Sequence, residues 1–163
     1  MTGQEHRPRP TGAGAGRRLV ILGVAASDSH AVANHLIAYG LRELGFTVVN
    51  LGTCTPVAEF AAACREYPQA EAVLVGSLNG HVHEDLRDLP AARAAGAIRC
   101  PVVVGGNLSV GSHKDEAAHE RLLALGVDRI LTDPSELPAV LDELREAAGR
   151  AAPAAGRAGL GAA

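Results

Sequence analysis

The chain has 163 residues, of which 47% are hydrophobic and 2% aromatic, and it carries 15 Lys and Arg against 18 Asp and Glu. That is enough apolar material for the core of one domain, but too little aromatic surface to stack flavins or single-stranded nucleic acid. A net charge of -3 offers no general attraction to phosphate backbones or anionic lipid, so neither a nucleic-acid nor a membrane partner is expected.

Residues 1–16, rich in Gly, Pro and charge, lack a hydrophobic period and read as a disordered tail. The opening "MTGQEHRPRPTGAGAGRR" has no apolar signal-peptide core, and "LVILGVAA" is far too short to span a bilayer. Three cysteines, Cys54, Cys64 and Cys100, are an odd number without C-x-x-C spacing, as suits reduced thiols. Together these point to a cytoplasmic protein. "RLVILGV" is the first strand candidate. The helix after it should bury a stripe of Ala33, Leu36, Ile37, Gly40, Leu41 and Leu44 and stop at Gly45. "TVVNLG" is the second strand, and Thr55-Pro56 reads as cap and first turn of the second helix. "AVLVGS" is the third strand. The helix behind it is poorly marked, with Pro90 in its first turn or before it and its end near Gly96. "PVVVGG" leads to a fourth helix from Asp115 to Leu125, stopped by Gly126. "DRILT" leads into "DPSE", an Asp-capped start with Leu137, Val140, Leu141 and Leu144 on one face. Residues 148–163 form an Ala/Gly tract read as a second disordered tail, leaving 17–147 as one domain.

Four of the five strands are apolar on both parities, as parallel strands covered on both faces should be. The expected fold is a doubly wound α/β domain, a five-stranded parallel sheet with flanking helices of Rossmann-like or flavodoxin-like kind. Ligands of such sheets bind at the carboxyl ends of the strands beside the switch in strand order. The loops of interest are therefore "SDSHA", "GTCT", "GSLNGH", "GGNLSVG" and "TDPS".

Several chemistries fail at those loops. A phosphoacceptor receiver needs an Asp ending the third strand and a Lys ending the fifth, but these strands end "VGSL" and "ILTDP". No phosphate cradle or G-x-G-x-x-G follows the first strand, which removes flavodoxin and dinucleotide readings. His81 and His83 in "HVH" have no Cys, His or acidic companions in a zinc motif. Two readings of Asp28 and His30 stay open. Asp28 or Ser29 caps the helix while His30 faces water, or Asp28 fixes the tautomer of His30 so that the imidazole can ligate a metal such as corrin-bound cobalt.

"SDSHAVANHL" resembles the D-x-H-x-x-G signature of the adenosylcobalamin mutases and methionine synthase. "GSLNGH" resembles the S-x-L motif that follows it, and "VVVGGNLSVG" the G-G motif. The similarity is greatest to the small, cobalamin-carrying (sigma) subunit of glutamate mutase, also called methylaspartate mutase, within the B12-binding domain family. "GFTVVNLGTCTP" and "GGNLSVG" follow that subunit's pattern, and the resemblance runs from about Arg18 to Leu144.

The resemblance implies that adenosylcobalamin binds with its dimethylbenzimidazole tail displaced from cobalt into a slot between the sheet and the first helix. His30 would take the vacated position and Asp28 would hold His30. Ser27, Ser29 and Ala31 would lie around the lower corrin face, and Gly76, Ser77 and Leu78 would line the tail slot. Gly105, Gly106, Asn107, Leu108, Ser109, Val110 and Gly111 would contact the tail and its phosphate-bearing loop. The implied reaction is the radical rearrangement of L-glutamate to threo-3-methylaspartate, in a hetero-oligomer with a large barrel-type mutase subunit that binds the amino acid; this chain alone would be inactive. Two positions depart from the pattern: Ala33 stands where the signature has Gly, and Gly76 where S-x-L has its first Ser. The alternatives from other classes are a corrinoid carrier or sensor module serving a methyltransferase or a regulator, and an interaction domain that has lost cobalamin.

Overall fold

The computed structural model describes residues 16–107 and 116–152. Five strands, β1 (Leu19–Val24), β2 (Thr47–Asn50), β3 (Ala72–Ser77), β4 (Val102–Gly106) and β5 (Arg129–Leu131), form one parallel sheet in the order β2-β1-β3-β4-β5. The chain runs from β1 outward to β2, then crosses to β3 on the other side of β1. The switch in strand order therefore falls between β1 and β3, where a crevice opens at the carboxyl ends. β1 is buried along its whole length, which explains its unbroken apolar run. The edge strands β2 and β5 are only partly covered. All five strands coincide with the sequence candidates to within two residues at either end.

Two cores flank the sheet. On one face, helix α2 (Val57–Glu66) packs with the short helices α3 (Val82–Asp85) and α4 (Leu89–Ala94) and with α5 (Glu116–Ala124), around Phe60, Leu89, Ile98 and Leu122. There the Cys64 and Cys100 thiols influence each other, the first held above the ordinary thiol value and the second below it; all three cysteines are free. On the other face lie α1 (Ala31–Glu43) and α6 (Leu137–Ala151), packed around Ala38, Leu41, Leu141 and Leu144. Arg18 ties the foot of this layer together. Its Nε donates to Glu71, its Nη1 to Asp142, and its guanidinium lies 4.5 Å from the Phe46 ring centroid.

The structure differs from the expectation at several elements. The buried face of α1 is Asn34, Ala38 and Leu41, while Leu36, Gly40 and Leu44 are exposed. The helix is rolled by roughly a quarter turn at 100° per residue, because the polar Asn34 faces inward and its place in the period was hidden by its chemistry. Thr55 does not cap α2. It extends the sheet by a bridge to Ala25, its hydroxyl donates to the Gly52 carbonyl, and Pro56 becomes the N-cap residue. The third connection contains two short helices in place of one; Pro90 sits in the first turn of α4, and Gly96, at φ +68°, follows its end. Asp133 accepts from the Ser135 N–H as expected, but caps a 3-10 turn (Pro134–Glu136) that precedes α6. Helix α6 continues past the expected domain boundary at 147. The tails expected at 1–16 and 148–163 otherwise lie outside the described residues, as does Asp115.

Candidate functional site

The site begins where β1 ends. After Ala25 the chain turns, with the Asp28 N–H bonded to the Ala25 carbonyl, and the Asp28 carbonyl accepts from the Cys54 N–H in the loop after β2. This drives the Asp28 carboxylate inward, where its side chain is fully buried. Its Oδ2 accepts from the backbone N–H of Leu78 at 2.5 Å and of Asn79 at 3.1 Å. Its Oδ1 accepts from the His30 N–H at 2.9 Å and lies 2.6 Å from His30 Nδ1. Burial pushes this carboxyl upward, but the donors from Leu78, His30 and Asn79 outweigh it and hold the group below the ordinary aspartate value. An ionised carboxylate only accepts, so Nδ1 carries a proton, and in the neutral form of the ring the lone pair sits on Nε2. The His30 side chain is 58% exposed and borders a large cavity. His30 is itself the N-cap residue of α1, without any side-chain cap bond. The capping alternative for Asp28 and Ser29 is thereby set aside.

The cavity, about 560 Å³, lies between the sheet face and helices α1 and α6, within the range of small-molecule pockets, about 300–1,000 Å³. Most of its wall is aliphatic. Gly76, Ser77, Leu78, Gly105, Gly106 and Asn107 all line it together with His30, which unites three loops far apart in sequence. Gly106 has φ +119°, and a Cβ there would stand 2.0 Å from the Ser77 carbonyl oxygen, so β3 and β4 can close at this point only around a glycine. Gly105 needs no such freedom; a Cβ there would be in ordinary contact with Leu131.

Ser27, Ser29 and Ala31 flank His30 in the chain but do not line the cavity. Ser27 is engaged elsewhere, donating to Asp85 and accepting from the Asn79 side chain. Ala33 is half-buried, with the cavity on its side of α1, so its methyl narrows the cavity and does not overpack the core. Leu108, Ser109, Val110 and Gly111 lie outside the described residues. Among the described residues no three His, Cys, Asp or Glu side chains gather as a metal site, and His81 and His83 are both exposed. Sequence reasoning missed Asn34 and His119, which line the cavity together with Thr132 of the "TDPS" loop. Of these two, only Asn34 left a signal, its helical phase with Ala38 and Leu41.

A family model described as a B12 binding domain matches residues 18–139. The chain belongs to the B12-binding domain family. Within the family it is 42% identical over 126 residues to the glutamate mutase sigma subunit of Halobacterium salinarum, covering 77% of this chain and 84% of the relative. It is 35% identical over 126 residues to the sigma subunit of Treponema denticola, covering 77% and 90%. A cobalamin-binding protein from Desulfitobacterium hafniense DCB-2 shares the fold, with a TM-score of 0.65 and 21% identity over 79% of this chain and 60% of that one.

The residues present fit the ligand of this B12-binding family. An imidazole with a fixed tautomer offers Nε2 beside an aliphatic cleft of sufficient volume. One buried polar atom of a cavity-lining residue, Asn34 Nδ2, has no partner. Among the described residues no helix is long and apolar enough to cross a membrane.

Proposed function

We propose that the chain is the cobalamin-binding subunit of a glutamate mutase-type isomerase that converts L-glutamate to threo-3-methylaspartate in the cytoplasm. The observation that carries this reading is the buried Asp28 carboxylate bonded to His30 Nδ1, which leaves Nε2 as the only available ligand atom of the ring. The names of its relatives support the reaction class.

Adenosylcobalamin, when bound, supplies the radical chemistry that rearranges a carbon skeleton. The protein's own residues hold and orient. His30 would hold the cobalt through Nε2, and Asp28 would keep the Nδ1 proton in place. Gly76, Ser77, Leu78, Gly105, Gly106 and Asn107 would receive the nucleotide tail in the cavity. Ser27, Ser29 and Ala31 would border the corrin, and Leu108, Ser109, Val110 and Gly111 would continue the tail contacts. No Lys or Arg among the described residues lines the cavity, so the two substrate carboxylates find no cationic partner there. The amino acid is bound by a separate large, barrel-type subunit, and this chain alone is inactive.

Incubation with cobalamin followed by gel filtration tests the binding step: the pigment should co-elute with the spectrum of an imidazole-ligated, tail-displaced form, and His30→Ala should lose both. Turnover of glutamate on mixing with a large mutase subunit and adenosylcobalamin tests the reaction. Tight binding without turnover would transfer the chain to corrinoid carriers.

A further inference from the structure

Most of the cavity wall is aliphatic, and one of its buried polar groups is held in a fixed orientation. Asn34, on the first full turn of α1 and 4% exposed, is a cavity-lining residue. The orientation of its amide is imposed from outside. The Gly52 N–H donates to Asn50 Oδ1 at 2.9 Å, so the other atom of that amide, Nδ2, is the one turned to α1. Asn50 Nδ2 then donates to Asn34 Oδ1 at 2.6 Å. A backbone N–H, which cannot accept, thus sets the polarity of both side chains. Asn34 Nδ2 is left buried with two N–H bonds and no partner.

An unpaired buried donor costs about 1–3 kcal/mol, so it marks a place where a partner is expected from elsewhere. Arg18 Nη2 is the other buried side-chain nitrogen in this condition among the described residues; it lies 2.9 Å from Glu71 in an ion pair and borders no cavity. The remaining buried polar side chain of the wall, Ser77, is turned to Asn79 Oδ1, and Gly76 brings no side chain.

We propose that Asn34 Nδ2 is a specificity-determining donor that selects corrinoids whose displaced base carries a ring nitrogen able to accept a hydrogen bond. The inference rests on the cobalamin reading above. A planar base fits an aliphatic cleft by shape, and many bases share that shape. The fixed N–H adds a requirement for an acceptor, since a base without one leaves the donor unpaired after the slot has closed.

The test is a spectroscopic titration of three probes: cobalamin, a cobamide with a phenolic base that has no acceptor ring nitrogen, and cobinamide, which has no tail base. Wild-type protein should bind cobalamin roughly 2–13-fold more tightly than the phenolic cobamide, the worth of one hydrogen bond. Asn34→Leu should remove that preference and leave cobinamide within about twofold of wild type. Asn50→Asp is the second variant and does not touch the cavity wall. It keeps the Gly52 bond but replaces the donor facing Asn34 by an acceptor, so the Asn34 amide turns over and cobalamin binding should fall while cobinamide binding holds. Equal losses for all three probes, or no loss of cobalamin preference in either variant, would overturn the assignment of Asn34. Failure of the wild-type protein to bind any of the three would instead remove the cobalamin reading itself.

Discussion

Asp28 receives all its donors from later in the chain: the backbone and ring N–H of His30, two residues on, and the backbone N–H groups of Leu78 and Asn79, fifty and fifty-one residues on. Asp28→Asn puts an NH2 where two N–H groups or the imidazole expect an acceptor, and should lower stability by about 1–3 kcal/mol, read by urea unfolding at pH 7. The pH dependence follows from the sign of the shift. The folded carboxyl titrates below its ordinary value of 3.8, so its stabilisation is complete above that value and is lost as pH falls through the lowered one. Unfolding midpoints measured from about pH 5 down to about pH 2 should therefore fall less steeply in Asp28→Asn than in wild type. Gly106→Ala meets the Ser77 carbonyl in a left-handed conformation and should cost at least about 1–3 kcal/mol in thermal unfolding. At this scale the Asp28–His30 relation is legible in sequence because it spans two residues. The donors from Leu78 and Asn79 are not, since only the pairing of β1 with β3 brings that loop near.

Among the elements, the strands are easily read, because a parallel strand covered on both faces must be apolar throughout. Helix α1 misleads for a physical reason. It has more apolar positions than its core face needs, and Val32, Leu36 and Tyr39, between 64% and 73% exposed, line its outer side, so hydrophobic spacing alone cannot say which side is inward. Leu36→Lys should accordingly change stability by no more than about 0.5 kcal/mol, whereas Leu41→Ala, truncating a side chain that is 3% exposed, should cost about 2–5 kcal/mol; chemical denaturation of the two variants compares them directly. The third connection misleads differently. Its helical signal is split by the turn at Arg87 and Asp88 between α3 and α4, and neither four-residue nor six-residue helices carry a measurable period.

For the molecule as a whole, alternating strands and helices convey the doubly wound class but not the order β2-β1-β3-β4-β5, which depends on where each crossover chooses to land. That order is what turns separate loops into one cavity. Binding there links to global stability. At a cobalamin concentration a hundred times its dissociation constant the folded state gains about 2.7 kcal/mol. For a chain of this size that raises the melting temperature by roughly 5–10 °C, and His30→Ala should lose most of the increment in a thermal scan.

The bond from Leu78 to Asp28 closes a loop of fifty residues, and the fit of Gly106 against Ser77 adds a third strand to the same junction. Nothing local can preform this junction. During synthesis, the Asp28 carboxylate stays hydrated until β3 emerges and brings the Leu78 and Asn79 donors to it. Cobalamin binding that needs this junction is then expected only after β3 has paired with β1, a non-local step of folding.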